Sequence, residues 1–479
     1  MTRHRAGVAL ALALYPLAQL VVRLAVSDSV EWDEAEQLVV TQSWALGYST
    51  FAAQPPLYTW LQIAFFSVFG VGTFAIALLR ACLQILAVTA LYRSARLLGL
   101  ARGLALLATL SLWLMPQYSV ESLRMTHSVL VTCLAAALLH ALLRLERHGR
   151  TVDYVWLGVV LGLGGIAKYN FILVAIALLA AAFSIRQTRA RLAERRLLLA
   201  VLVAALIDAP HAAWVVGHVA ATAGHVATKL GVQPGGLWSS RMAGRGTFRF
   251  LRALAIYTPP LVLWLLVFRR LDGHHAPAMT RLIERFWMIS LSALAVGVVV
   301  FGTPRFKEHW FQPVLFVLPL YLFLRLPVQV DARRLRLFAA LLAIAIVSIT
   351  GWKLVEVWAG HRFNEYSRLN DPFPALAARL REAGVEPAVI RSDHHVVAGS
   401  LRLYFPRALV ITPGYRDVEP AGNGPCLIAW SARVHMAPQA VLQPWVPAGA
   451  TVRYVEAPAR RVPDRIYRLA YVTVPTCRW

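Results

Sequence analysis

Between Asp28 and Pro56 the chain holds five acids, Asp28, Glu31, Asp33, Glu34 and Glu36, and no lysine or arginine, although its formal net charge is +24. Two of these acids adjoin in Trp32-Asp33-Glu34-Ala35, and a carboxylate is a group that can take a proton from an attacking hydroxyl. Acids next to a membrane are costly unless solvated, paired or used, and this loop has no basic residue of its own to pair with them. Asp28, Glu31 and Glu36 read as solvated acids near the start of a short helix, where the dipole favours negative charge. Asp33 and Glu34 are expected to do chemistry, because an interfacial Gln54-Pro55-Pro56-Leu57-Tyr58 segment and an aromatic cluster follow and would wall a site at the membrane surface.

The complementary groups are cations that could bind an anionic leaving group. Lys168 lies in Gly164-Gly165-Ile166-Ala167-Lys168-Tyr169-Asn170, Arg305 and Lys307 lie in Arg305-Phe306-Lys307-Glu308-His309-Trp310, and Arg124 lies beside Glu121 and His127. An ammonium suits a phosphate as a point charge; each cation can equally be a snorkelling interfacial side chain. His127 can bond a sugar or phosphate, or cap the helix that follows. His211, His218 and His225 recur every seven residues, which puts successive rings about two turns apart, too far to share one zinc ion. A divalent metal held by Glu34, His225 and His309 remains an open alternative.

These residues must be positioned by membrane helices. The 479-residue chain is 58% hydrophobic and 15% charged, above the roughly 45 to 50% apolar content of soluble domains. Apolar runs of spanning length predict about eleven helices, at 7–27, 73–92, 103–119, 126–143, 153–167, 170–185, 197–217, 248–268, 286–302, 310–326 and 335–357. Alternate linkers hold 21 and seven Lys or Arg, so the positive-inside rule sets the basic side in the cytoplasm and the acidic loop outside. The charge is therefore mostly topology, and a nucleic-acid partner is not expected. The N-terminal run is too long for a signal peptide and lacks a cleavage site, so it reads as a retained span. Residues 52–70, opened by Pro55-Pro56, are expected at the outer interface with Tyr58 and Trp60 at headgroup depth. The expected organisation is a transmembrane domain over 1–358, with an outer loop at 28–72, and a soluble α/β domain over 359–479. In that tail the strand-like pieces are PAVIRSD, ALVITPG, CLIAW and IYRLAYVTV and the helical piece is FPALAARLREAG. Cys426 and Cys477 both fall there, where an oxidising compartment would permit a bridge.

The order of motifs, WDEA at 32–35, Gly47-Tyr48, QPPLYTWL at 54–61, GGIAKYN and RFKEHW, resembles the polyprenyl-phosphate-sugar-dependent glycosyltransferases. These are GT-C membrane enzymes of the family 39 type, related to protein O-mannosyltransferases and the aminoarabinose lipid A transferase. The resemblance covers about residues 5–330 and is weaker over the tail. It implies inverting transfer, on the periplasmic face of a bacterial inner membrane, from a polyprenyl-phosphate sugar to a hydroxyl of lipopolysaccharide, another envelope glycan or a protein. Asp33 matches the family's loop acid and would be the general base, with Glu34 positioning it or binding a cation. Lys168, Lys307, Arg305 and Arg124 would hold the donor phosphate, and Tyr58, His127, Tyr169, His309 and Trp310 would line the cavity. Many relatives carry Asp where His127 stands, and some use a divalent metal. A polyisoprenoid-lipid transporter or flippase is the competing class, but no internal repeat of the transporter kind is present.

Overall fold

The computed structural model describes residues 2–48, 54–230, 239–269, 277–327, 329–415, 424–432 and 437–477. It is mostly helical, with one small sheet near the C-terminus. Two compact units emerge.

The first unit comprises Met1–Ala18, Ala53–Tyr58 and Arg80–Thr350. Its central helix, His127–His148, is buried along almost its whole length, so its apolar surface runs all round rather than along one stripe. Beside it Thr151–Gly165 packs against Leu197–Gly217. Glycines let the two backbones approach: a Cβ at Gly158 would lie 2.5 Å from the Ala200 carbonyl oxygen, and one at Gly162 would lie 3.1 Å from that of Ala204. Small residues four apart are the usual device for close helix contact in lipid, where apolar burial gives no drive for association.

Six helices of the described residues are long and apolar enough to cross a membrane, or up to eight if two bent pairs each count as one span. The chain is a multi-pass membrane protein. The eleven expected spans differ from this count for local reasons. Span 248–268 is two helices, Ser240–Ala255 and Pro259–Phe268, meeting at 45° where Pro259 and Pro260 remove backbone donors. Span 310–326 is likewise broken, into Gln312–Leu315 and Leu318–Leu324, each with a proline in its first turn. Asn170–Ser184 turns through 113° into Arg186–Leu192. Thr151–Gly165 has 15 residues and reaches only about 22 Å.

The second unit comprises Gln19–Ala52, Thr59–Leu79 and Gly351–Trp479. Most of the acidic loop expected within the membrane domain thus packs together with the C-terminal region. Its sheet has five strands, β1 (Val389–Ser392), β2 (Leu409–Ile411), β3 (Cys426–Ser431), β4 (Arg453–Ala459) and β5 (Val462–Val474), in the order β2-β1-β3-β5-β4. β2, β1 and β3 are parallel, and β5 runs antiparallel to β3 and β4. β1 and β3 are buried along almost their whole length, and β3 opens with the continuous apolar run Cys426–Trp430, as suits a strand covered on both faces. All four strand-like pieces and the Phe373–Glu382 helix form as expected; β4, half exposed at the sheet edge, carries too weak an apolar pattern to be read. One face of the sheet packs Ile390, Val410, Leu427 and Leu469 against Leu376 and Leu401. Cys426 and Cys477 are joined by a disulfide.

Candidate active site

The acidic segment folds as the helix Trp32–Val40, with Glu31 at its N-cap. Glu34 sits at its third position, and its carboxylate accepts the Glu31 backbone N–H at 3.0 Å, one half of a capping box. The same carboxylate is bound bidentately by Arg23, Nε to Oε1 at 3.2 Å and Nη2 to Oε2 at 2.7 Å. Both residues are about 1% exposed. Arg23 also donates to the carbonyls of Ser27 and Ser29, each at 2.7 Å, so every nitrogen of the buried guanidinium is engaged. The loop's acids thus have a basic partner from outside the loop, at the end of the preceding helix, and both oxygens of Glu34 bond Arg23. Glu31 is likewise buried rather than solvated.

The rest of the second unit clamps this helix in place. The helix His395–Tyr404, which connects β1 to β2, lies against it so closely that a Cβ at Gly399 would stand 2.1 Å from the Ala35 carbonyl oxygen. Arg402, buried and lowered by that burial to about 10, donates to Thr41 Oγ1 at 3.0 Å and to the Leu38 carbonyl. Gln37 and Thr59 join side chains at 3.2 Å, and Arg461 donates to the Val26 carbonyl at 2.7 Å. Asp33 is therefore a half-buried carboxylate in the first turn of a helix held on several sides. Rigid support of that kind is what a proton acceptor needs.

In the first unit a second group of expected residues converges. Lys168 Nζ donates to Ser128 Oγ at 2.9 Å, the Tyr58 and His127 rings lie 5.1 Å apart, and the Leu57 N–H bonds the Ile166 carbonyl at 3.0 Å. Tyr169 stacks on His211 at 6.0 Å, and Trp214 on His218 at 4.3 Å. The physical cause is the turn GGIAKYN between two helices, which presents Lys168 to Ser128 at the start of His127–His148 and Tyr169 to His211. Tyr58 is fully buried inside the protein. Ser128 and His211 were not foreseen in this setting; the seven-residue histidine spacing marks a helix face, but nothing local says that Tyr169 covers it.

Arg305 and Lys307 are exposed on a separate segment, anchored by Arg252 on Glu308 at 3.0 Å, Tyr257 on the Glu308 carbonyl at 2.9 Å and the Phe306–Trp310 ring contact at 5.1 Å. His309 and Trp310 there are half buried. Arg124 pairs loosely with Glu121 at 3.9 Å. Among the described residues no group of three or more His, Cys, Asp or Glu could hold a metal ion; the His225 side chain lies outside the described residues.

Residues 53–214 match the dolichyl-phosphate-mannose-protein mannosyltransferase family. The chain is 29% identical over 430 residues to the lipopolysaccharide core galacturonosyltransferase RgtB of Rhizobium johnstonii, covering 88% of this chain and 86% of that protein. It is also 29% identical over 448 residues to RgtA of the same organism, covering 90% and 88%. In fold it resembles ArnT from Cupriavidus metallidurans bound to undecaprenyl phosphate, with TM-score 0.63 and 15% identity over 98% of each chain. The apo form of ArnT gives TM-score 0.61 and 16% identity over 96% of this chain and 97% of that one. Apolar helices, a matched domain that begins just before the Gln-Pro-Pro motif and runs past Lys168, and relatives that are themselves sugar transferases all agree, and the chain is a multi-pass membrane glycosyltransferase with a GT-C fold like that of ArnT.

Proposed function

We propose that the enzyme moves a sugar from a polyprenyl-phosphate-linked donor onto a hydroxyl of a lipopolysaccharide-type glycan, with inversion, at the periplasmic face of the inner membrane. The observation that carries this reading is the near full-length likeness to two lipopolysaccharide core galacturonosyltransferases, which also favours a uronic acid as the sugar moved. The undecaprenyl phosphate bound by ArnT supports a lipid-phosphate donor. The orientation is supported by the 21 basic residues of alternate linkers and by the Cys426–Cys477 bridge, since disulfides persist in oxidising compartments.

In this reading Asp33 takes the acceptor proton as the hydroxyl oxygen attacks the anomeric carbon. The bond from that carbon to the phosphate oxygen breaks, and the lipid phosphate leaves with the electron pair. Lys168 offsets the charge that gathers on the leaving phosphate, with His127, Tyr58 and Tyr169 around it. Lys307, Arg305 and Arg124 are the further cations for the donor, and His309 and Trp310 belong to its surroundings. Glu34 serves by locking the helix that bears Asp33. The test is Asp33→Asn in cells lacking the native gene, with insertion checked by blotting and core glycans read by mass spectrometry. Loss of a general base lowers turnover about 10²- to 10⁴-fold; full modification of the core by the inserted variant removes Asp33 from that role.

A further inference from the structure

One side of Trp32 is accounted for by the helix it begins. The other faces a cleft of about 460 Å³ within the second unit, lined by Trp32, Tyr366, Arg368, Asp393, His394 and Arg465. That volume lies within the range of small-ligand sites. Trp32 remains 43% exposed although it stands edge-on to the His394 and His395 rings at 4.8 and 4.6 Å.

Two arginines lie on aromatic rings in this cleft, Arg368 5.0 Å over Trp32 and Arg465 3.7 Å over Tyr366. A guanidinium stacked by its face keeps its N–H donors in the plane, directed outward at a carboxylate, phosphate or diol. Arg465 Nε is buried and has no hydrogen-bond partner among the described residues, a desolvated donor whose cost an incoming acceptor would relieve. The frame is stiff: Tyr366 donates to Asp371 Oδ1 at 2.8 Å, and the Asp371 carbonyl accepts from Ser29. Burial and the nearby Arg368 lower the His394 pKa, so at neutral pH its ring is an uncharged partner for hydroxyls. With two arginines, the carboxylates of Asp371 and Asp393, and aromatic surface between them, the cleft matches a sugar ring better than a bare anion. Apolar C–H faces meet rings, hydroxyls meet carboxylate and guanidinium, and an acidic substituent meets Arg465 or Arg368.

We propose that this cleft binds an acidic saccharide and, resting on the acceptor reading above, grips the acceptor glycan through sugars other than the one modified. Trp32 immediately precedes Asp33, so on that reading the glycan is held by the same helix that carries the proton acceptor.

The test uses full-length protein in lipid nanodiscs and, as probe, delipidated lipopolysaccharide core oligosaccharide, with binding measured by calorimetry for wild type, Arg465→Gln, Arg368→Gln and Trp32→Phe. Arg465→Gln is expected to weaken binding about tenfold or more, the loss of one charge-assisted hydrogen bond, and to raise the acceptor KM while leaving kcat and the donor KM unchanged. Arg368→Gln gives the same sign if Arg465→Gln folds poorly, and melting curves separate those cases. No binding by wild type, or equal binding by wild type and folded arginine variants, overturns the cleft. Binding that depends on the arginines, without any sugar transfer to core, leaves the cleft standing and overturns the transferase-acceptor reading instead.

Discussion

Asp33 and Glu34 are neighbours of the same chemical type with opposite assignments, and the difference is burial. Glu34 is an anion enclosed with Arg23, and breaking a buried pair from one side leaves the other charge uncompensated. Glu34→Gln is therefore expected to destabilise the protein by about 3 kcal/mol, read as a lower melting temperature of the purified enzyme. Asp33→Asn should melt like wild type and lose turnover. Equal melting temperatures for the two variants would contradict the division of labour. Lys168→Ala should raise the KM for lipid-phosphate donor about tenfold, as loss of one charge-assisted contact predicts, with acceptor KM unchanged in steady-state assays.

Among the elements, the contact between the helices Trp32–Val40 and His395–Tyr404 is the sharpest. The 2.1 Å separation at Gly399 leaves no room for a methyl group, so Gly399→Ala must push the two helices apart. Overpacking of this kind costs about 1 to 3 kcal/mol, and because the displaced helix carries Asp33, activity should fall with stability. Gly297→Ala, where a Cβ meets nothing within 4 Å, is the control and should be neutral or slightly stabilising in a helix. If both variants melt and turn over alike, the helix contact is not what positions Asp33.

At the scale of the whole molecule, the second unit is fastened by a bridge across 51 residues. Cys477→Ser should destabilise that unit by roughly 4 kcal/mol in the chain-entropy picture, measured by limited proteolysis with and without reductant. Its pH response follows from His395, which burial, His394 and Arg368 lower to about 3. The unfolded chain then binds a proton the folded one refuses, so stability is complete above about pH 6.5 and falls as pH drops toward 3, by at most about 1.4 kcal/mol per pH unit. Replacing His395 by Gln should flatten that slope in denaturant titrations. Membrane class and the strands of the α/β tail were legible in the chain, because apolar length and residue pattern are local properties. The grouping of the acidic loop with a sheet more than 350 residues away, the Arg23 partner of Glu34, and the meeting of Tyr58, His127 and Lys168 were settled only by tertiary structure. Which polar group is buried, and beside what, depends on contacts between segments that no local pattern encodes.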